Sequence, residues 1–256
     1  METLKLTGTV AIVTGGNGGI GLGIAQGLAE AGASVMISGR NDNKNAAALA
    51  SLQTLEPSCR ASICDVNKPS DVEGLLAETR NELGPVDILV NNAGIAIGEP
   101  PEVISADAWD SVLNTNLKSV FSLCQAAFED LKHQTGNGHP GKIINIGSMY
   151  SIFGGARVTS YSASKGGIVQ LSKALAVAWA PHNIQVNTLL PGWIDTELTA
   201  AVKEDREFLK GIESRTPAGR LGLPEELAGA AVFLASRAAN FVTGVALPVD
   251  GGYSVG

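Results

Sequence analysis

Short apolar, β-branched runs alternate along the chain with longer stretches whose apolar positions recur every three or four residues. The runs "TVAIVT" (Thr9–Thr14), "SVMIS" (Ser34–Ser38), "ASIC" (Ala61–Cys64), "DILV" (Asp87–Val90), "KIINIG" (Lys142–Gly147), "IQVNTLL" (Ile184–Leu190) and "VALPV" (Val245–Val249) predict strands. Most lack the polar alternation of a strand with one wet face, so they read as covered on both faces. Helical patterns fall over Gly21–Ala31, stopped by Gly32, and over Asp71–Leu83, stopped by Gly84 and Pro85. Two more cover Ala108–Lys132 and Tyr161–Ala180, the second stopped by Pro181 and carrying Ile168, Leu171, Leu175 and Ala178 on one face. Repeated strand–helix alternation predicts an α/β fold, a doubly wound parallel sheet of about seven strands with helices on both faces. No linker, repeat or low-complexity segment interrupts it, so residues 1–256 are expected to form a single domain.

Composition narrows the function. The chain has 256 residues, 45% of them hydrophobic, enough for a large buried core. Its formal charge is −7 with acids and bases mixed, so nucleic acid is not an expected partner: phosphate binding calls for clustered Lys and Arg. No apolar stretch nears the ~20 residues that span a bilayer, and no basic segment leads into an apolar run and cleavage site, so neither a membrane span nor a signal peptide is expected. Cys59, Cys64 and Cys124 are odd in number and lack metal-ligand spacing, which favours a reduced, cytoplasmic chain without a metal. His133, His139 and His182 lie in polar, turn-rich contexts and read as exposed or structural.

The first strand leads into "VTGGNGGIGLG" (Val13–Gly23). Backbone N–H groups at a helix start attract phosphate, and glycines let the ligand approach closely. Two registers are open: Gly16, Gly18 and Gly21 fit G-x-G-x-x-G, while Thr14, Gly15, Gly19 and Gly21 fit T-G-x-x-x-G-x-G. A glycine-rich turn can also serve packing alone, but its place between first strand and first helix favours dinucleotide binding in a Rossmann-like fold. After the second strand an acid would bind a ribose 2′-hydroxyl; here "MISGRND" offers Arg40 instead, with Asp42 further on. Arg40 can clamp a 2′-phosphate through its planar fork, or stand as a solvated loop cation; the first reading predicts NADP(H) preferred over NAD(H), with NAD(H) still admissible.

Together these motifs resemble the short-chain dehydrogenase/reductase family over nearly the whole length. "TGGNGGIG", "CDV" (Cys64–Val66), "NNAG" (Asn91–Gly94), "NTNL" (Asn114–Leu117), "IGSM" (Ile146–Met149), "YSASK" (Tyr161–Lys165), "PGWIDT" (Pro191–Thr196) and "DGG" (Asp250–Gly252) carry the resemblance. It implies that Tyr161 transfers the proton, as acid in reduction and base in oxidation. Free tyrosine has a pKa near ~10, and Lys165, one helical turn on, is a cation placed to lower it. The resemblance gives Lys165 the nicotinamide ribose as well, gives Ser148 the substrate oxygen, and makes Asn116 the anchor of a water in the relay to Lys165. Taken singly, such a serine is often a turn former and such an asparagine merely exposed. Tyr150 is a rival phenol whose i+4 position is Gly154, so it has no lysine partner there.

The remaining cofactor contacts also follow from the resemblance. Gly15, Asn17, Gly18, Gly19, Ile20 and Gly21 would cradle the pyrophosphate, with Arg40 and Asn41 at the adenosine end. Asp65 would accept from the adenine amino group beside Val66. Asn92, Ala93 and Gly94 would line the ribose while forming a structural turn, and Pro191, Gly192, Ile194 and Thr196 would cover the carboxamide and phosphates.

A small-molecule carbonyl or alcohol substrate is implied, its identity less so. The segment 196–222 corresponds to a substrate lid and carries Lys203, Arg206, Lys210 and Arg215; these could meet an acidic substrate, though a solvated amphipathic helix explains them as well. "IINIGSMYSIFGG" and "RTPAGRLG" are nearest to the 2-deoxy-gluconate 3-dehydrogenase and gluconate 5-dehydrogenase branch. A 3-oxoacyl-acyl-carrier-protein reductase or broad carbonyl reductase is the alternative, and a non-catalytic nucleotide sensor a remote one. The family is commonly tetrameric through its long central helices and C-terminal region, so a homotetramer is expected.

Overall fold

The computed structural model describes residues 2–132 and 139–256. Strands β1 (Val10–Thr14), β2 (Ser34–Gly39), β3 (Arg60–Ile63), β4 (Ile88–Asn91), β5 (Gly141–Ile146), β6 (Ile184–Pro191) and β7 (Ala246–Val249) form one sheet in the order β3-β2-β1-β4-β5-β6-β7. All pairings are parallel. Around it lie α1 (Gly19–Glu30), α2 (Asp42–Leu52), α3 (Pro69–Glu82), α4 (Ala106–Leu113), α5 (Ser119–Ala126), α6 (Phe128–Lys132), α7 (Thr159–Trp179), α8 (Ala200–Glu204), α9 (Arg206–Arg215) and α10 (Ala228–Ala235).

Successive strand side chains leave the sheet on opposite faces. From β1, Ala11 and Val13 enter a core shared with Ile24 and Leu28 of α1, Leu52 of α2 and Leu234 of α10. Ile12 enters a second core with Leu76 of α3, Leu123 of α5 and Ile168 of α7. Two buried faces explain why the strand sequences are apolar runs. Every predicted strand is present, with ends shifted by a residue or so. Among the described residues, no helix is long and apolar enough to cross a membrane.

Three features depart from the periodicity. The helix α2 escaped it because "DNKNAAALASL" has only a weak apolar face; its start is fixed by Asn41, whose side chain accepts from Lys44 N at 3.0 Å. The long helix expected over Ala108–Lys132 is interrupted by a π turn at Asn114–Lys118, where Ser119 N bonds back to Asn114 O, and again at Ala127. The segment 196–222 folds into a 3-10 turn at Glu197–Thr199 followed by α8 and α9. Of the histidines, His139 is buried, His182 is exposed with its ring edge-on to Phe128, and His133 lies outside the described residues.

Candidate active site

The β1–α1 turn sits beside β4, where the strand order reverses; this is the crevice in which open α/β sheets bind ligands. Gly15 (φ +62°) and Gly19 (φ +49°) adopt left-handed conformations that other residues resist. Gly21 serves packing: a Cβ there would collide with the Gly15 carbonyl and the Asn92 side chain. Gly18 is different, since nothing lies within 4 Å of the position its Cβ would take. The first-turn amides of α1 have no side-chain cap, so donors and open space coincide at the start of a 12-residue helix. Such a cradle fits a dinucleotide pyrophosphate. Asn92 holds it in shape, its amide donating to Thr14 O (3.0 Å) and Gly15 O (3.1 Å), while Ala93 N donates to Thr14 Oγ1. Asn17 donates to Asn45 Oδ1 at 2.7 Å, joining the cradle to α2.

Beyond β2, Arg40 is exposed, forms no salt bridge among the described residues, and precedes the start of α2 capped by Asn41. Asp65 follows β3 and accepts from Asn67 N at 3.1 Å. The Val66 side chain packs into the second core. Arg40, Asp65 and Val66 do not line the cavity that holds Tyr161.

That cavity, of about 520 Å³, runs from the cradle to the 196–222 segment. Ile20, Asn92, Gly94, Ser148, Tyr161, Lys165, Pro191, Gly192, Ile194 and Thr196 all line it. Lys165 is 5% exposed and its Nζ donates to Ile146 O at 2.7 Å. Burial lowers its pKa to about 8. Its Nζ lies 5.6 Å from the Tyr161 ring centroid. The expectation that this cation lowers the Tyr161 phenol is not met: burial holds the phenol above its ordinary value, and a contact with the Ser148 side chain draws it partly back. Tyr150 lines the same cavity, and burial raises its phenol too.

Asn116 is on the π turn, buried, and its side chain is fully engaged. It accepts from Ile95 N (2.8 Å) and donates to Ile95 O (2.8 Å) and Ser164 Oγ (3.1 Å). Ser164 donates in turn to Tyr161 O at 2.7 Å, so Asn116 braces the first turns of α7. Ser148 caps the 3-10 turn Met149–Ser151. Ser151, which sequence reasoning passed over, accepts from Ser148 N (3.1 Å) and donates to Lys165 O (2.8 Å), tying the 3-10 turn to α7.

The far wall is aromatic. Tyr161, Tyr150, Trp193 and Phe208 meet edge to face in series, their centroids 6.1, 6.2 and 5.7 Å apart. Trp193, Phe208, Leu198, Val202 and Arg157 also line the cavity and are not singled out by the sequence; Trp193 lies inside "PGWIDT" and Leu198, Val202 and Phe208 inside the 196–222 segment, whereas Arg157 has no such signal. The segment 196–222 is pinned at its ends by a bridge between Ile194 and Gly222. Among the described residues, no group of three or more His, Cys, Asp or Glu is arranged to hold a metal.

A family model described as Enoyl-(Acyl carrier protein) reductase matches residues 15–254. Gluconate 5-dehydrogenase of Gluconobacter oxydans (strain 621H) is 41% identical over 254 residues, covering 99% of this chain and 98% of its own. A 2-dehydro-3-deoxy-D-gluconate 5-dehydrogenase of Escherichia coli (strain K12) is 42% identical over 253 residues, with coverage of 99% and 98%. Among solved structures, a gluconate 5-dehydrogenase from Burkholderia cenocepacia J2315 in complex with NADP and tartrate matches with a TM-score of 0.91 at 39% identity, covering 99% of this chain and 98% of that one.

Proposed function

The chain belongs to the short-chain dehydrogenase/reductase family, and from that premise we propose that it is an NADP-preferring oxidoreductase interconverting a secondary alcohol and a ketone on a sugar acid. The observation that carries this reading is the convergence of Ser148, Tyr161 and Lys165 on one cavity continuous with the glycine cradle. Support for the substrate class comes from relatives named for gluconate and deoxygluconate chemistry, and for the cofactor from a neighbour solved with NADP.

When bound with its pyrophosphate on the cradle, the reduced dinucleotide would supply a hydride for the carbonyl carbon. The residues of the chain do the rest. Gly15, Asn17, Gly18, Gly19, Ile20 and Gly21 hold the pyrophosphate; Arg40 and Asn41 hold the 2′-phosphate. Asp65 and Val66 take the adenine, Asn92, Ala93 and Gly94 its ribose, and Pro191, Gly192, Ile194 and Thr196 the nicotinamide end. Ser148 donates a hydrogen bond to the substrate oxygen and Tyr161 gives it a proton, so that the ketone becomes an alcohol. The raised phenol suits this direction, because Tyr161 stays protonated at neutral pH. Lys165 binds the nicotinamide ribose, and Asn116 keeps α7 in register.

Residues 1–256 act as one domain, with 196–222 as the lid over a small-molecule substrate. The enzyme works in the cytoplasm, in keeping with three unbridged, buried cysteines, and assembles as a homotetramer; a sedimentation measurement giving a monomer would reject the assembly. The function is tested by a panel of 5-keto-D-gluconate, acetoacetyl thioesters and simple ketones with NADPH and NADH. Fastest turnover is expected with the keto acid and NADPH; a preference for the thioester would favour the 3-oxoacyl reductase reading instead.

A further inference from the structure

The cations near the cavity are mostly committed. Lys203 pairs with Asp195 at 2.6 Å, and Lys44 with Glu197 at 2.6 Å. Arg220 grips Glu226 through two nitrogens, each 2.7 Å from a carboxylate oxygen. Arg215 stacks on Phe153 (4.8 Å) and Tyr253 (4.2 Å). Lys165 is held by the Ile146 carbonyl, and neither Arg206 nor Lys210 lines the cavity. The lid cations singled out in the sequence are thus spent on the protein or do not line the cavity.

Arg157 stands apart. It lines the same cavity as Ser148 and Tyr161, and it precedes Tyr161 by four residues. Its side chain is exposed and has no hydrogen-bond, ion-pair or ring partner among the described residues. Much of the wall around it is apolar, from Val158, Trp193, Leu198 and Phe208. A guanidinium presents five donors in a fork that matches a carboxylate bidentately. The 21-residue helix α7 starts two positions further on, and its amide end adds positive potential.

We propose that Arg157 is the specificity-determining residue that receives the substrate carboxylate. The inference rests on the oxidoreductase reading for the place of the ketone: Tyr161 and Ser148 fix the oxygen, and Arg157 fixes the charged end of the same molecule. It explains how a chain of net charge −7 can draw an anion to an apolar cavity.

The test compares 5-keto-D-gluconate with L-sorbose, its neutral counterpart bearing a hydroxymethyl in place of the carboxylate. In Arg157→Ala, KM for the keto acid is expected to rise roughly 10- to 100-fold, the order of a charge-assisted hydrogen bond, with kcat changed far less. The keto-acid preference over L-sorbose should collapse by the same factor, and Arg157→Lys should restore part of it. Equal effects on both substrates, or none on either, would overturn the proposal. Calorimetry on the NADP-loaded enzyme gives a readout without turnover. Wild type should bind D-gluconate more tightly than sorbitol, and Arg157→Ala should lose the difference while still binding NADP. A wild type that binds the two alike overturns the carboxylate assignment; a wild type that discriminates but reduces no ketone overturns the oxidoreductase reading alone.

Discussion

The two ends of the cavity are built from different materials. At the cradle, shape is set by backbone: Gly15 and Gly19 in left-handed conformations, Gly21 pressed against the Gly15 carbonyl, and Asn92 bonded to two carbonyls. At the aromatic wall, shape is set by side chains from distant segments, with Tyr150, Trp193 and Phe208 in contact and solvent-exposed ion pairs around them. The difference teaches where variation is tolerated. A backbone cradle admits few substitutions and serves one ligand, whereas a wall of side chains can be re-cut for a new substrate without disturbing the sheet.

Several substitutions would break or sharpen that contrast. The largest effect is expected at the junction: Tyr161→Phe should lower kcat by about 10²–10⁴-fold, the range of a lost general acid, with NADPH binding retained by fluorescence titration. Retained turnover would remove Tyr161 from the chemistry. Next, Arg40→Asp should raise KM for NADPH roughly 10- to 100-fold while leaving NADH unharmed; an enzyme already indifferent to the 2′-phosphate would show no change. The two glycines of the cradle should then separate. Gly21→Ala forces a collision with backbone and should cost about 1–3 kcal/mol of stability in denaturant unfolding. Gly18→Ala meets no protein atom, so its midpoint should hold while cofactor affinity falls. Similar unfolding midpoints for both would contradict this division of labour.

A smaller effect concerns pH. Lys165 has its pKa depressed to about 8, so it is charged below that value and loses its proton above it. Tyr161 is raised and keeps its proton through the same range. Reduction should therefore hold steady at neutral pH and decline as pH rises through about 8, while oxidation, which needs the phenolate, should gain. A reduction profile that is flat well past this point would show that the charge on Lys165 is dispensable.

How much could be read from the sequence follows the same division. Strands were legible because both faces are buried, which turns each into an apolar run. The cradle and the Tyr161–Lys165 pair were legible because their geometry is local: a strand–turn–helix and one turn of α7. The π turn at Asn114–Lys118 was not, since apolar periodicity hardly registers one extra residue in a helical ladder. Nor was the state of Tyr161: spacing placed a cation nearby, but only the packing reveals the burial that raises the phenol. Arg157 was hidden for a further reason. Whether an arginine has a partner depends on every charge around it, and among the described residues Asp195, Glu197 and Glu226 occupy Lys203, Lys44 and Arg220 while leaving Arg157 unmatched.

Hydride transfer itself can be followed atom by atom. With NADPH carrying deuterium at the transferred position of nicotinamide C4, reduction of 5-keto-D-gluconate should place that deuterium on the carbon of the new alcohol. NADPH consumption without deuterium in the product, or no consumption with any ketone in the panel, would contradict the assignment of this site to carbonyl reduction.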